Sequence, residues 1–209
     1  MKYLAQMTQA LIGIRLSAAQ LSAFDQYERT LLEWNMRFNL TAIRDPEEVR
    51  IKHFLDSLTC LIAMRDTPIE RVIDIGSGAG FPGIPLALFL PDSHFTLAER
   101  LNKRAVFLKN MALSLSLKNI TVTSEDYRLT PERFDVITFR AFVALPDEIA
   151  QISEKLSESS VIAAYKGKLS KVTEEITELL SMGYEAEAIK IEVPFLDEER
   201  HIILVGKRR

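Results

Sequence analysis

The 209-residue sequence predicts an α/β fold in which helices cover both faces of a mostly parallel sheet. Three observations lead to this prediction. From residue 67 onward, short segments of strand character alternate with helical segments, a pattern typical of parallel, doubly wound sheets. A glycine-rich turn follows the first of these strands. The last two strands have no helix between them, and we therefore expect them to pair as an antiparallel hairpin.

The N-terminal segment, residues 1–66, has the pattern of helices throughout. Ser17 is a candidate N-cap, because apolar residues recur every three or four positions after it. A further helix is expected to begin with Asp45 as its N-cap and a proline in the first helical position. We therefore predict an N-terminal helical cap of residues 1–66 and a sheet-containing domain of residues 67–209.

The sheet is expected to contain seven strands. Five of them alternate with helices and should run parallel with right-handed connections. Their sequences are RVIDI (71–75), HFTLA (94–98), NITVT (119–123), FDVIT (134–138) and SVIAAY (160–165). The helices are predicted over 83–90, 101–117, 146–156 and 169–181. The hairpin strands are placed near 184–193 and 201–206.

The turn after the first strand, within RVIDIGSGAGFPGIPLA, has four glycines among eight residues. Glycine permits a positive φ and lets a ligand lie directly against the backbone. In doubly wound sheets, nucleotides bind where the first strand turns into the following helix. The sequence therefore predicts a site for a nucleotide-like cofactor at this turn, with Gly76, Ser77, Gly78 and Gly80 as candidate contacts.

The position of the glycines relative to the end of the strand indicates which cofactor binds. GAGFPG, residues 78–83, matches the G-x-G-x-x-G dinucleotide fingerprint, but the strand ends at Ile75, so the turn itself reads G-x-G-x-G from Gly76. Asp74 then lies at the tip of the strand, where its carboxylate would repel the phosphates of NAD. S-adenosylmethionine carries an ammonium and a sulfonium and no phosphate. Asp74 therefore favours S-adenosylmethionine, bound directly or through water.

Acidic residues also follow the next two strands. Glu99 ends the second strand, 19 residues beyond Gly80, where a carboxylate can accept hydrogen bonds from both ribose hydroxyls. SEDY, residues 124–127, follows the third strand, where the adenine edge would lie. An acid after a strand can instead cap the next helix, and for Glu99 both interpretations stay open. Three polar clusters at one sheet edge favour a cofactor site.

The composition excludes several classes of protein. The formal net charge of −3 excludes a uniformly basic nucleic-acid coat, so RNA contacts must come from local patches. The single cysteine, Cys60, excludes an internal disulfide, and we expect no metal site. The longest apolar run is too short to span a bilayer, and the N-terminus lacks the pattern of a signal peptide. We expect a cytoplasmic protein with no membrane contact and no obligate protein partner.

Several longer motifs occur together in one order. They are NLTAI (39–43), HFLDSL (53–58), DIGSGAGFPGIPLAL (74–88), ERLNKRAVFLKN (99–110), FRA (139–141), YKGK (165–168) and ERHIILVGK (199–207). From about Trp34 to the C-terminus, the chain resembles the bacterial 16S ribosomal RNA guanine-N7 methyltransferases, formerly called glucose-inhibited division protein B. The resemblance implies a class I, Rossmann-like methyltransferase fold with a seven-stranded sheet and a helical cap. It also implies that the substrate is a guanine in a 16S RNA loop near the decoding site.

The resemblance also implies site residues. It places the cofactor against Gly76 and Phe81, puts Glu125 and Asp126 near the adenine, and adds Arg140. Which of the two acids meets the adenine stays open. The family commonly has SRA where this chain has FRA, so a hydroxyl before Arg140 is absent here.

The chemistry implied for this family needs no general base, because guanine N7 already presents a lone pair at the major-groove edge. The sequence agrees, since it lacks the Asp-Pro-Pro-Tyr or Asn-Pro-Pro-Tyr motif of amino-group methyltransferases and a cysteine pair for attack on a pyrimidine. The alternatives are a methyltransferase for a small molecule or another RNA base, an NAD-dependent oxidoreductase, and a non-catalytic cofactor-binding module.

Arg140 lies at the tip of the fourth strand, beside the expected reaction centre, and is a candidate for positioning the reactants. Its alternative role is an ion pair with Asp74 or Asp126. For His53, a structural hydrogen bond is preferred over a substrate contact. Candidate RNA contacts are Arg104, Lys166, Lys168 and Arg200, of which Lys166 is the preferred phosphate contact.

Overall fold

The computed structural model describes residues 1–13, 15–65, 67, 69–140 and 144–206. Helix α1 spans Lys2–Ile12 and α2 spans Ala18–Phe38. The predicted cap at Ser17 is confirmed: its hydroxyl accepts from the backbone N–H of Gln20, and the Gln20 side chain accepts from the Ser17 N–H. This reciprocal pair satisfies two amides that the first helical turn leaves free.

The next helical segment changes its winding along its length. It consists of α3 (Pro46–Glu48), a π-helix (Val49–Leu55), α4 (Asp56–Leu58) and α5 (Cys60–Ala63). Asp45 caps the segment as predicted, since its carboxylate accepts from the N–H groups of Glu47 and Glu48. The π-helix is a correction, because the apolar stripe predicts an ordinary α-helix. Such wide turns are frequent at functional sites.

Seven strands form one sheet in the described part of the chain. They are β1 (Arg71–Ile75), β2 (His94–Ala98), β3 (Ile120–Thr123), β4 (Phe134–Arg140), β5 (Leu156–Lys166), β6 (Ala186–Ile191) and β7 (Arg200–Gly206). Their spatial order is β3-β2-β1-β4-β5-β7-β6. Strands β1 to β5 pair in parallel, and β7 is antiparallel to both β5 and β6. The predicted fold class and hairpin are confirmed; the insertion of β7 between β5 and β6 was not predicted.

Four helices connect the strands: α6 (Gly83–Phe89), α7 (Asn102–Ser114), α8 (Leu145–Ser153) and α9 (Leu169–Ser181). A short 3-10 helix, Tyr127–Leu129, follows β3. The third helix ends earlier than predicted and β5 begins earlier, because Leu156 already pairs with Phe134 across a register shift. From β1 the chain runs outward to β2 and β3 and returns to β4 on the other side. Ligands of such sheets bind at this reversal, beyond the carboxyl ends of the strands.

Buried apolar residues form two clusters. One holds the N-terminal helices together with α6 and α7, and includes Phe24, Tyr27 and Phe54; the other holds α8 and α9. The N-terminal helices therefore pack on the sheet domain rather than standing apart. No helix in the described residues is both long and apolar enough to cross a bilayer.

Candidate cofactor and substrate site

The glycine turn begins at Gly76, as the sequence predicts. Gly76, Gly78 and Gly80 have φ values of 70, 59 and 97°, which side-chain-bearing residues rarely adopt. The N–H groups of Gly76 and Ser77 donate to the Ala98 carbonyl at 2.8 and 3.3 Å, which ties the turn to the end of β2. The backbone of Gly76 lies on a cavity wall, where a ligand can approach it.

Gly80 serves packing as well as the turn. A Cβ atom there would lie 2.6 Å from the Tyr27 hydroxyl and 2.5 Å from the Ile84 side chain. The Tyr27 hydroxyl donates to the Ala79 carbonyl at 2.5 Å. Helix α2 thus holds the glycine turn directly, a contact between distant residues that no local pattern predicts.

Asp74 is fully buried at the tip of β1. Its Oδ2 accepts from the Gly83 N–H at 3.0 Å, while its Oδ1 accepts no hydrogen bond in the described part of the chain. Burial raises the pKa of this carboxyl from 3.8 to about 7, against the opposing effects of the Gly83 bond, the Ser77 hydroxyl and the Arg140 charge. A carboxyl with one open acceptor suits an ammonium-bearing or donor-bearing ligand, directly or through water, and disfavours a phosphate.

Glu99 connects two elements through its carboxylate. Oε2 accepts from the Gly78 N–H at 2.9 Å, and Oε1 accepts from the Leu101 N–H at 2.8 Å, beside the start of α7. Glu99 thus contacts Leu101, the residue before the first residue of α7, but no side chain caps the first turn of that helix, so the helix-capping interpretation stays a prediction. Each carboxylate oxygen can accept a second hydrogen bond, so the ribose interpretation is compatible with this geometry and stays a prediction.

A cavity of about 220 Å³ lies at the carboxyl ends of β1 and β2. It is lined by Ile75, Gly76, Ala98, Glu99, Arg104 and Glu125, among others. Asp126 instead caps the 3-10 helix and pairs with Arg128 at 2.5 Å, and these bonds lower its pKa to about 2. Of the two candidate adenine contacts, Glu125 is the one beside the cavity.

Phe81 is 4% exposed and packs nearly parallel to two rings. Its centroid lies 5.4 Å from that of Tyr27 and 4.3 Å from that of His53, at interplanar angles of 21 and 16°. The side chain therefore joins the N-terminal helices to the glycine turn. The predicted cofactor contact at Phe81 stays a prediction.

Arg140 binds the N-terminal segment. It donates to the Lys52 carbonyl at 2.9 Å, to Asp56 Oδ2 at 3.2 Å and to His53 Nδ1 at 2.8 Å. The expected ion-pair partners, Asp74 and Asp126, are wrong: the partner is Asp56, which is brought to β4 by packing that sequence spacing does not reveal.

His53 makes structural hydrogen bonds, as preferred from the sequence. Because Nδ1 accepts from Arg140, the ring proton is assigned to Nε2, which donates to the Thr41 hydroxyl at 2.8 Å. Burial and the Arg140 charge lower the His53 pKa to about 3. The ring is neutral near pH 7, and both of its nitrogens are engaged.

A second, larger cavity of about 600 Å³ lies between the N-terminal segment and the ends of β4 and β5. We call it the polar cleft; its lining includes Thr41, Lys52, Asp56, Arg140, Lys166, Glu198 and Arg200. Lys52 and Glu198 were not singled out from the sequence, and Asp56 was noted only as a neighbour of His53. Asp56 does lie in the HFLDSL motif, which was the available signal.

The four candidate RNA contacts do not form one patch. Lys166 and Arg200 line the polar cleft, where Lys166 pairs with Glu175 at 2.8 Å and Arg200 with Glu198 at 2.8 Å. Lys168 is exposed beside the cleft at the start of α9. Arg104 lies at the smaller cavity, 3.9 Å from Glu99. Their contacts with RNA stay predictions.

Comparisons with known proteins agree with this geometry. The family model described as rRNA small subunit methyltransferase G matches residues 20–203. A ribosomal RNA small subunit methyltransferase G of Acinetobacter baumannii (strain SDF) is 40% identical over 201 residues, covering 94% of this chain and 93% of that protein.

Solved structures share the fold at low sequence identity. The tRNA (m1A58) methyltransferase TrmI of Aquifex aeolicus superposes with a TM-score of 0.59 at 13% identity, covering 74% of this chain and 69% of that one. M. jannaschii TYW2, solved in complex with AdoMet, has a TM-score of 0.53 at 17% identity, covering 72% of this chain and 74% of that one.

Proposed function

Since the chain belongs to the rRNA small subunit methyltransferase G family, we propose that it methylates N7 of one guanine in 16S ribosomal RNA, in a loop near the decoding site. Family membership makes the chain an S-adenosylmethionine-dependent methyltransferase of small-subunit ribosomal RNA. The target atom, the loop and the assembled subunit as the substrate are our proposals. Because ribosomes are its substrate, we also place the protein in the cytoplasm.

The cofactor supplies an electrophilic methyl group. The residues that would hold it are the glycine turn from Gly76 to Gly80, Glu99 and Glu125 at the smaller cavity, and Asp74 behind the turn. The open Oδ1 of Asp74 supports this assignment, because a buried carboxylate oxygen needs a donor. NAD would bring phosphates towards the same acid, so the oxidoreductase alternative is disfavoured.

Among the described residues, neither His53 nor Cys60 is suited to act as a general base or a nucleophile. His53 is neutral with both ring nitrogens engaged, and burial raises the pKa of the Cys60 thiol to about 12. Guanine N7 attacks with its own lone pair and loses no proton, so alignment of the reactants is the main requirement. We assign Arg140 a positioning role, since it fixes the N-terminal segment against the tip of β4.

The observation that carries the proposal is the joint presence of the family match and the buried acid behind a G-x-G-x-G turn. The test incubates the protein and labelled S-adenosylmethionine with small ribosomal subunits from a strain that lacks this gene. Label recovered as 7-methylguanosine at one position of 16S RNA is expected. Label in another nucleoside, or none in RNA despite binding of S-adenosylhomocysteine, would overturn the target assignment.

A further inference from the structure

The polar cleft lies at the ends of β4 and β5, next to the strand that carries the proposed cofactor turn. Its floor is formed at the ends of β4 and β5 by Arg140, Tyr165 and Lys166. Strand β4 is the direct neighbour of β1, which carries the glycine turn. A substrate in the cleft would therefore sit across the chain reversal from the cofactor, where ligands of such sheets meet.

The size and walls of the cleft fit one nucleotide. Its volume of about 600 Å³ falls within the ~300–1,000 Å³ usual for small-molecule sites. Ala42 and Ile43 offer apolar surface for a base. Lys52, Arg140 and Arg200 offer positive charge, with 29, 20 and 20% of their side chains exposed. RNA enzymes commonly take a base out of its stack into such a pocket.

The acidic side chains of this largely cationic cleft differ in their exposure to solvent. Among the described residues that line the cleft, two are carboxylates, Asp56 and Glu198. The Asp56 side chain is 3% exposed and is held by Arg140 at 3.2 Å and Arg200 at 3.4 Å. Glu198 is 55% exposed, 2.8 Å from Arg200 and 3.6 Å from Lys52. Its carboxylate is held between these two cations and is still half exposed, so its remaining lone pairs can accept hydrogen bonds from a donor-bearing ligand.

We propose that the polar cleft binds the target guanine and that Glu198 accepts hydrogen bonds from the guanine N1–H and 2-amino groups. A carboxylate only accepts, and guanine alone among the four RNA bases presents two adjacent donors on its Watson–Crick edge. This contact leaves N7, on the opposite edge, free to react. Glu198 would thus be a specificity-determining residue for the reaction; this inference rests on the proposed function.

The test compares three proteins on two substrates. The proteins are wild type, Glu198→Gln and the control Glu192→Gln, which removes an 83% exposed carboxylate paired with Lys190. The substrates are small subunits reconstituted with guanosine or with inosine at the methylated position. Inosine keeps N7 and N1–H but lacks the 2-amino group.

Wild type and Glu192→Gln are expected to prefer guanosine. Glu198→Gln should lower kcat/KM on guanosine about tenfold, lose most of its preference over inosine, and keep wild-type affinity for S-adenosylhomocysteine. An equal change on both substrates, or a gain in activity from the lost negative charge, would overturn the inference. If wild type does not methylate guanine in the subunit at all, the proposed function fails first.

Discussion

At the scale of single residues, Asp74 gives the protein a pH dependence with a definite sign. Its pKa in the folded chain, about 7, lies above its value of ~3.9 in an unfolded chain. Between these values the folded state binds more protons, so the contribution of Asp74 to stability is complete below pH 4 and is lost as the pH rises through 7.

We expect Asp74→Asn to remove this dependence. In the absence of cofactor, wild type should lose stability between pH 5 and 7, by ~1.4 kcal/mol for each pH unit between the two pKa values. The variant should lose much less over the same range, and it should bind S-adenosylhomocysteine more weakly. Urea unfolding at several pH values measures this effect. Identical pH profiles for the two proteins would contradict the burial of a protonatable Asp74.

The backbone at Gly76 permits a sharper test of the cofactor site. Gly76→Val forces a branched side chain into a φ of 70° on the cavity wall, so cofactor binding should be abolished. The control is Gly206→Ala, where a Cβ atom meets open space. Isothermal titration with S-adenosylhomocysteine is the measurement. Circular dichroism should show that the N-terminal helices remain folded, and unchanged affinity would exclude our placement of the site.

A substitution at Glu99 can distinguish a helix-capping role of this residue from a role in cofactor binding. Glu99→Ala removes the acceptors for the Gly78 and Leu101 amides, and it should weaken S-adenosylhomocysteine binding by ~1–3 kcal/mol if the carboxylate also binds the ribose. Titration calorimetry and thermal unfolding are measured together. Loss of stability with unchanged affinity would leave capping as its whole role.

Single residues also show where prediction from sequence ends. Asp74, Gly76 and Glu99 lie near the ends of β1 and β2, where the sequence places them, because the pattern gives the boundaries of both strands. The Arg140–Asp56 pair was not, because its members are 84 positions apart and meet only through packing. Glu198 carries no local signal of a site either, since it lies in a charged loop, pairs with Arg200 only two residues away, and meets its distant partner Lys52 only through packing.

At the scale of elements, α2 and the glycine turn are coupled through one hydroxyl. Tyr27→Phe deletes the bond to the Ala79 carbonyl and leaves the ring packing against Phe54 and Phe81 intact. We expect a loss of ~0.5–1.5 kcal/mol in unfolding free energy and weaker cofactor binding. Denaturant titration with and without S-adenosylhomocysteine measures both. A loss of stability that is equal with and without ligand would mean that the contact does not shape the site.

Elements with a simple period were predicted well, and irregular ones were not. The alternating helices and strands follow from apolar spacing, and so does the fold class. The π-helix at Val49–Leu55 has an apolar stripe like that of an α-helix, so the sequence pattern does not distinguish the two. The structure shows the difference, together with the contacts of His53 and Asp56 with Arg140. The position of β7 depends on which edge of the sheet is unpaired when β6 and β7 join it, and the spacing of apolar residues does not contain this information.

At the scale of the whole molecule, the net charge of −3 means that RNA binding depends on local clusters of cations rather than on the overall charge. Lys168 is exposed beside the polar cleft, so Lys168→Ala should weaken binding to small subunits and lower the slope of log K against log salt by ~0.7–0.9 if one phosphate contact is lost. Filter binding at several salt concentrations measures the slope. Lys118→Ala, on the far loop before β3, is the control and should leave it unchanged.

The position of β7 between β5 and β6 determines the order in which parts of the sheet can form during synthesis of the chain. The glycine turn, Glu99 and Glu125 are complete once β4 has been synthesised, whereas Arg200 opens the last described strand. Within the described sheet β6 pairs with β7 and with no other strand, so β6 has to wait for β7 before it can join. A nascent chain would therefore acquire its cofactor half first. Before β7 is synthesised, the backbone groups at one edge of β5 are unpaired and can pair with another chain. We therefore expect protection by chaperones to be most important in this interval.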